Sequence, residues 1–448
     1  EKMRFLTLKK IIMDIDADLA LLNESEINQH DDTNIETNVA TEADLYQYPK
    51  LFSSKTLLEL CNSSWSRSYN AKNNIQPYLR GCKWSPDGTC CLTVVNNDGV
   101  HVTELPKDLY FGSVNPERKI DVLDSVIHVK EAGLVYDFCW YPGMNSNVPE
   151  TCCWLTTRQN APVQMWDAFD GSLRGSYRGF NAVDEMEPAL SVTFNSEGTK
   201  IVAGYKKFLR TFDVDRPGRD FGEHKINSPA SCLVTDRNLL AIGSWNTTIS
   251  LFNMSESGNY KSIGKMHGHT GGVTHIKFTP DGLKLVSGAR KDHRLLVWDI
   301  RYYRRPLNIL SRVVDTNQRI YFDVSPCGKY LVTGGTDGVI KVWDIDSVNW
   351  SESVDVTEVS KDNATFRFPL HNDCCNSISI HPLRPILATG SGQYHFSDPV
   401  SALEDSVMDN DNVARLDKDV SINSDMKYSS NAENSLVFWW IGDLPNIT

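Results

Sequence analysis

Residues 267–301, HGHTGGVTHIKFTPDGLKLVSGARKDHRLLVWDIR, carry the clearest hydrophobic pattern of the chain. Apolar and polar positions alternate from Val273 to Phe278, and a Pro-Asp-Gly turn follows at 280–282. A second apolar run covers Leu283 to Ser287, and a third ends at Trp298-Asp299. A period of two between tight turns predicts three short antiparallel strands. The same unit, a first strand, a turn and a strand ending near an aromatic-acid pair, recurs six more times. The copies run from Leu79 through SPDG (85–88) to Leu105, and from Val135 to Asp167 with a longer turn at Pro142 to Glu150. Two more pass through NSEG (195–198) to Phe212-Asp213 and through TDRN (235–238) to Phe252-Asn253. The last two pass through SPCG (325–328) to Trp343-Asp344, and from Ser377 through HPLRP to Leu436–Ile441. Repetition at this spacing predicts an all-β, seven-bladed propeller.

A ring of sheets must join its two ends, because an open ring leaves a strand edge exposed. The strand-like stretch at 51–66 is expected to complete the last blade, so the propeller occupies 45–448. Residues 1–44 are polar, acidic and rich in Asn and Thr, and read as a mostly disordered tail with a short helix at 17–22. Residues 395–434 separate the second and third strands of the seventh unit and read as a mobile acidic insertion.

Charge changes the picture through its location. The 448-residue chain carries a net charge of -12, but residues 1–44 hold 11 acidic and 4 basic side chains and residues 395–434 hold 9 and 3. The repeat body is left near +1, free to carry a basic patch. No apolar run approaches the ~18 residues of a membrane span. The basic residues around Phe5 to Leu8 are followed at once by Asp14, Asp16 and Asp18 with no small-residue cleavage site, which argues against a secretory signal. The 11 cysteines are odd in number, lie mostly in strand segments and contain no C-x-x-C. They read as reduced core thiols of the cytosol or nucleus, not as a disulfide frame or zinc site.

The unit at 267–301 has the WD40 signature. His269, Ser287, Asp292 and Trp298 stand where a hydrogen-bond chain ties the entering loop to the third strand, and these four are assigned structural roles. Only this unit has the Gly-His pair, so the other blades are expected to be held chiefly by packing. Several other stretches are not generic to such repeats, among them RPGRD (216–220), GARKD (288–292) and TNQRIYFD (316–323). With LRGCKWSPDG (79–88), LPKDLY (105–110), LATGSGQ (387–393) and the closing FWW (438–440), they run in order along nearly the whole propeller. On these residues the chain resembles the WD40 family of telomerase Cajal body proteins.

That resemblance implies a non-enzymatic RNA-binding subunit of H/ACA small Cajal body ribonucleoproteins. It would recognise the CAB box, a short single-stranded loop, and direct the particle to the Cajal body in the nucleus. Small Cajal body RNA and telomerase RNA are the RNA partners implied. Dyskerin and the other H/ACA proteins are the protein partners, with a cytosolic chaperonin for folding. The competing reading is a WD40 interaction scaffold, or a substrate receptor of a cullin-type ubiquitin ligase, since 285–301 also fits the WDxR box of such receptors.

Propeller geometry independently predicts where RNA would sit. The turns between second and third strands gather on one face with the loops that enter the first strands. They carry Arg158, Gln159, Tyr205, Lys206, Lys207, Trp245, Arg290, Lys291, Gln318, Arg319 and Gln393. Aromatic rings can stack bases, amides can read base edges and cations can neutralise phosphates. Arg216, Arg219, Arg301, Arg304 and Arg305 follow third strands and belong to the opposite face. No phosphate loop, metal-ligand cluster or cofactor motif stands out, so neither catalysis nor a cofactor is expected.

Overall fold

The computed structural model describes residues 51–64, 76–110, 114–131, 133–181, 183–255, 258–345, 364–395 and 433–443. The tail expected at 1–44 and nearly all of the insertion expected at 395–434 lie outside the described residues. The described chain forms seven sheets arranged as the blades of one propeller: six are antiparallel with four strands in meander order, and the seventh has five strands. The first strands, nearest the axis, are Leu79–Trp84, Val135–Trp140, Ser191–Phe194, Ala230–Asp236, Val273–Phe278, Phe322–Val324 and Cys375–Ile380 for blades 1 to 7.

Burial explains why strands such as Cys90–Val95 and Ser435–Trp440 read as nearly continuous apolar runs. Neighbouring blades cover both faces of a strand, and every position of Cys375–Ile380, Ile386–Ser391 and Ser435–Trp440 is buried. Outer strands such as Gly222–Lys225 and Tyr260–His267 are mostly exposed. They are accordingly polar.

Leu58–Ser64 pairs antiparallel with Ser435–Trp440, placing Cys61 opposite Phe438 and Ser64 opposite Ser435. The seventh blade is thus built from both ends of the described chain. A short strand, Asp121–Val122, extends the same sheet in parallel. Leu60, Trp84, Phe438 and Trp440 pack together where the seventh blade meets the first, with the Trp84 and Phe438 rings 4.5 Å apart.

The TNQRIYFD stretch fills the axis. Arg319 Nη1 donates to Asp137 Oδ1 at 2.8 Å, and Nη2 donates to the Ser231 carbonyl at 2.9 Å. These partners sit on the first strands of blades 2 and 4, neither of which neighbours blade 6, so the bonds must cross the central channel. Tyr321 is buried beside them, its ring 4.8 Å from His275 of blade 5 and 6.5 Å from Phe138 of blade 2. Asp323 pairs with Lys277 of blade 5 and accepts the Ile380 N–H of blade 7 at 2.8 Å. One loop therefore touches most of the ring.

Blade 5 contains a hydrogen-bond chain among buried side chains. His269 Nδ1 lies 3.0 Å from Asp292 Oδ2, His269 Nε2 lies 2.8 Å from Ser287 Oγ, and Trp298 Nε1 donates to Ser287 Oγ at 2.8 Å. Blade 7 holds a second such chain, where packing was expected to be the chief tie. His371 Nδ1 lies 2.7 Å from Glu433, His371 Nε2 lies 2.8 Å from Thr389 Oγ1, and Trp439 Nε1 donates to Thr389 at 2.8 Å. Leu370 replaces the glycine before that histidine, and the carboxylate comes from the last residues of the 395–434 insertion. Proximity along the chain could not pair them. Blade 3 uses a different lock: buried Arg210 meets Glu187 and Glu223 and lies 4.4 Å from the Tyr205 ring.

The cysteines are all free, and among them only Cys327 is exposed. Burial pushes the thiols of Cys61, Cys90, Cys139, Cys232 and Cys374 up to about 12. Such thiols are poor nucleophiles near neutral pH.

Candidate functional site

Because successive strands are antiparallel, turns between second and third strands share a face with the loops entering the first strands. The residues singled out on that face divide by whether the fold already uses them. Arg158 is paired with Glu131 at 2.5 Å, so its charge is compensated. Gln318 Nε2 donates to the Gly392 carbonyl at 3.2 Å, and Gln393 Nε2 donates to Asp373 at 2.6 Å. Arg319 serves the axial knot. Tyr205 is fully buried beneath Arg210 and offers no face for a base. In each of these five residues the polar or aromatic group already has a partner inside the protein.

The remaining residues stand differently. Gln159 is exposed at the blade 2 turn. Lys206 and Lys207 are exposed at the blade 3 turn, and Lys291 at the blade 5 turn beside half-buried Arg290. None of these four cations forms an ion pair among the described residues. Trp245, at the blade 4 turn between the two cationic pairs, is 44% exposed.

Contacts show that this arc is continuous. A Cβ at Gly272 would lie 2.9 Å from the Trp245 carbonyl and 3.0 Å from Arg290 Nε, so the missing side chain lets the two approach each other. Arg290 N–H donates to the Gly272 carbonyl at 3.0 Å, and Lys291 N–H donates to the Thr316 carbonyl at 3.2 Å. On the other side, Ile226 N–H donates to the Lys207 carbonyl at 2.8 Å. The gap between blades 3 and 4 is a cleft of about 230 Å3, whose lining includes His224, Lys225, Asn227, Ser228, Ser244 and Asn246. The arc thus runs from Lys206 through an amide- and hydroxyl-lined cleft to Trp245, Arg290 and Lys291. Lys225 and the cleft were missed in the sequence because they depend on blades 3 and 4 lying side by side.

On the opposite face Arg219 pairs with Asp184 and lies over the Phe180 ring at 3.7 Å. Arg301, of the WDxR box, forks onto Asp299 at 2.8 and 3.0 Å. Both therefore stabilise turns.

A third cluster escaped the sequence reading, which expected no metal ligands. Asp98 ends the turn between the second and third strands of blade 1, His101 follows on the third strand, and His128 lies opposite His101 on the fourth. Their ligand atoms all fall within 4.8 Å of one another. Only the cross-strand register joins His128 to an Asp-x-x-His spacing.

The WD domain, G-beta repeat family matches residues 260–299 and 317–344. The chain is 42% identical over 393 residues to the telomerase Cajal body protein 1 homolog of Drosophila melanogaster, covering 86% of this chain and 69% of that protein. It is 35% identical over 396 residues to telomerase Cajal body protein 1 of Mus musculus, with 86% and 69% covered. With the Homo sapiens protein of that name the identity is 36% over 360 residues, covering 78% and 63%. A seven-bladed WD40 propeller with this similarity along most of its length belongs to the telomerase Cajal body protein 1 family.

Proposed function

We propose that the chain is a non-enzymatic RNA-binding subunit of H/ACA-type small Cajal body ribonucleoproteins, which takes a single-stranded CAB-box loop on the blade 3 to blade 5 arc. The observation that carries the reading is the pairing state of the cations. Arg158 and Arg319 are engaged within the fold, while Lys206, Lys207, Arg290 and Lys291 have no ion-pair partner among the described residues and stand on both sides of an exposed tryptophan. A flexible strand offers phosphates and unstacked bases together, and this alternation of cation, aromatic ring and amide matches both. The relatives are named for telomerase and the Cajal body, which supports a nuclear particle of that kind as the setting. Telomerase RNA is then one expected ligand and dyskerin one expected neighbour, with a cytosolic chaperonin assisting folding.

The test is binding of a CAB-box hairpin over a salt series, comparing the unaltered chain with a variant in which Lys206, Lys207, Arg290 and Lys291 are all Ala. Every phosphate deprived of its cation should flatten the slope of log affinity against log salt by roughly 0.7. An unchanged slope and affinity in a folded variant rejects this placement. If H/ACA RNA fails to crosslink to the chain in cells while ubiquitin-ligase subunits co-purify, the scaffold reading replaces it.

A further inference from the structure

The Asp98, His101 and His128 cluster is a preformed ligand set. His101 Nε2 lies 2.9 Å from Asp98 Oδ2, and His128 Nε2 lies 3.3 Å from Asp98 Oδ1. The two imidazoles are stacked, with centroids 4.1 Å apart and planes 12° from parallel, so both rings aim the same nitrogen at one carboxylate. His101 is buried, and its Nδ1 lies 2.9 Å from Ser125 Oγ. That contact orients the ring from behind, as the supporting partner of a metal-bound histidine does. Asp98 and His128 keep side-chain exposures of 25% and 30%, which leaves one side open to solvent.

We propose that Asp98, His101 and His128 bind a divalent transition-metal ion, with zinc the best match, on the rim of blade 1. Two imidazoles and a carboxylate suit zinc in both ligand type and number, and three protein ligands leave a fourth position for water or another oxygen donor. Ligand atoms around a tetrahedral zinc stand on the order of 3.3 Å apart, given bonds of about 2.0–2.1 Å. The nitrogen–oxygen separations here, 2.9 Å to Asp98 Oδ2 and 3.3 Å to Asp98 Oδ1, lie close to that spacing, and the three ligand atoms all stand within 4.8 Å of one another, so small side-chain rotations gather them around one ion. The site needs no rearrangement of the sheet, because His101 and His128 are already a registered cross-strand pair. Its ion would clamp the turn between the second and third strands to the outermost strand of the blade. It would also add positive charge to a rim where Asp98 supplies negative charge.

The experiment titrates zinc into the full chain, prepared metal-free and without a polyhistidine tag, by calorimetry, with cobalt absorption reporting coordination geometry. One equivalent should bind, cobalt should show the intense visible bands of a low-coordinate site, and the melting temperature should rise with zinc. His128→Ala removes a partly exposed ligand, and Asp98→Asn keeps the size of its side chain. Each should weaken binding about tenfold or more, and Ser125→Ala should weaken it by roughly 10-fold through the supporting contact. No saturable binding, or binding unchanged in folded His128→Ala and Asp98→Asn, overturns the proposal. Loss of zinc-dependent stabilisation in His128→Ala, with its metal-free melting temperature intact, supports it over a purely structural histidine pair.

Discussion

Arg319 and Asp137 meet at 2.8 Å across the propeller axis, although 182 residues separate them. The pair joins blade 6 to blade 2, and Asp137 Oδ2 also accepts the Val192 N–H of blade 3 at 3.2 Å. Removing one member leaves the other charged and largely buried. Arg319→Met should therefore destabilise the protein by about 3–5 kcal/mol, seen as a lower midpoint in denaturant unfolding. The double variant Arg319→Met with Asp137→Leu should recover much of that loss. Additive losses would show that the two residues do not act as a pair.

The blade 7 clasp carries a pH signature. Burial works against the Glu433 carboxylate, but His371, Ser435 and the Asn372 N–H hold its pKa down at about 2, from 4.5. A depressed acid contributes stability above its unfolded pKa and loses it as pH falls through the folded one. Glu433→Gln should cost about 1–2 kcal/mol at neutral pH. It should also flatten the fall in stability between about pH 4.5 and pH 2 in acid titrations followed by tryptophan fluorescence.

His381 acts in a higher window. Its Nδ1 accepts the N–H groups of Leu383 at 3.0 Å and Arg384 at 2.9 Å, so the ring is neutral and Nε2–H donates to the Gly88 carbonyl at 2.9 Å. Burial lowers its pKa from 6.5 to about 3. The unfolded chain thus binds the proton first, and stability present above pH 6.5 drains away as pH falls toward 3. The loss should reach on the order of 4 kcal/mol. His381→Gln should be less stable at pH 7.5 yet lose less between pH 6.5 and 4, which chemical unfolding at a series of pH values will resolve.

Trp245 and Tyr205 should part ways on substitution. Trp245→Ala removes a half-exposed ring and should weaken RNA binding by about 1–3 kcal/mol, with little change in melting temperature. Tyr205→Ala empties a buried site under Arg210 and should lower stability by roughly 3–5 kcal/mol. Paired binding and melting curves check both. Equal RNA losses in two folded variants would mean that stacking is not what Trp245 contributes.

The seven units were legible from local pattern, because alternating burial and tight turns are written within the stretch of chain that forms each blade. Phe278 and Trp298 pack with Ala241, Ile249 and Leu251 of blade 4 in a core that two blades share, whereas His269 finds Ser287 and Asp292 inside one repeat. The rim required the closed ring. Arg158, Gln318 and Gln393 look like free recognition groups in the sequence, yet Glu131, Gly392 and Asp373 satisfy them. Tyr205 looks like a stacking platform until blade 3 folds over it. The same holds for His371 with Glu433, and for His128 with Asp98. Turn chemistry and strand period act over a few residues, so the order of residues alone determined the blades. Which polar groups remain unpaired depends on contacts between strands and blades distant in the chain, and only the tertiary structure decided that.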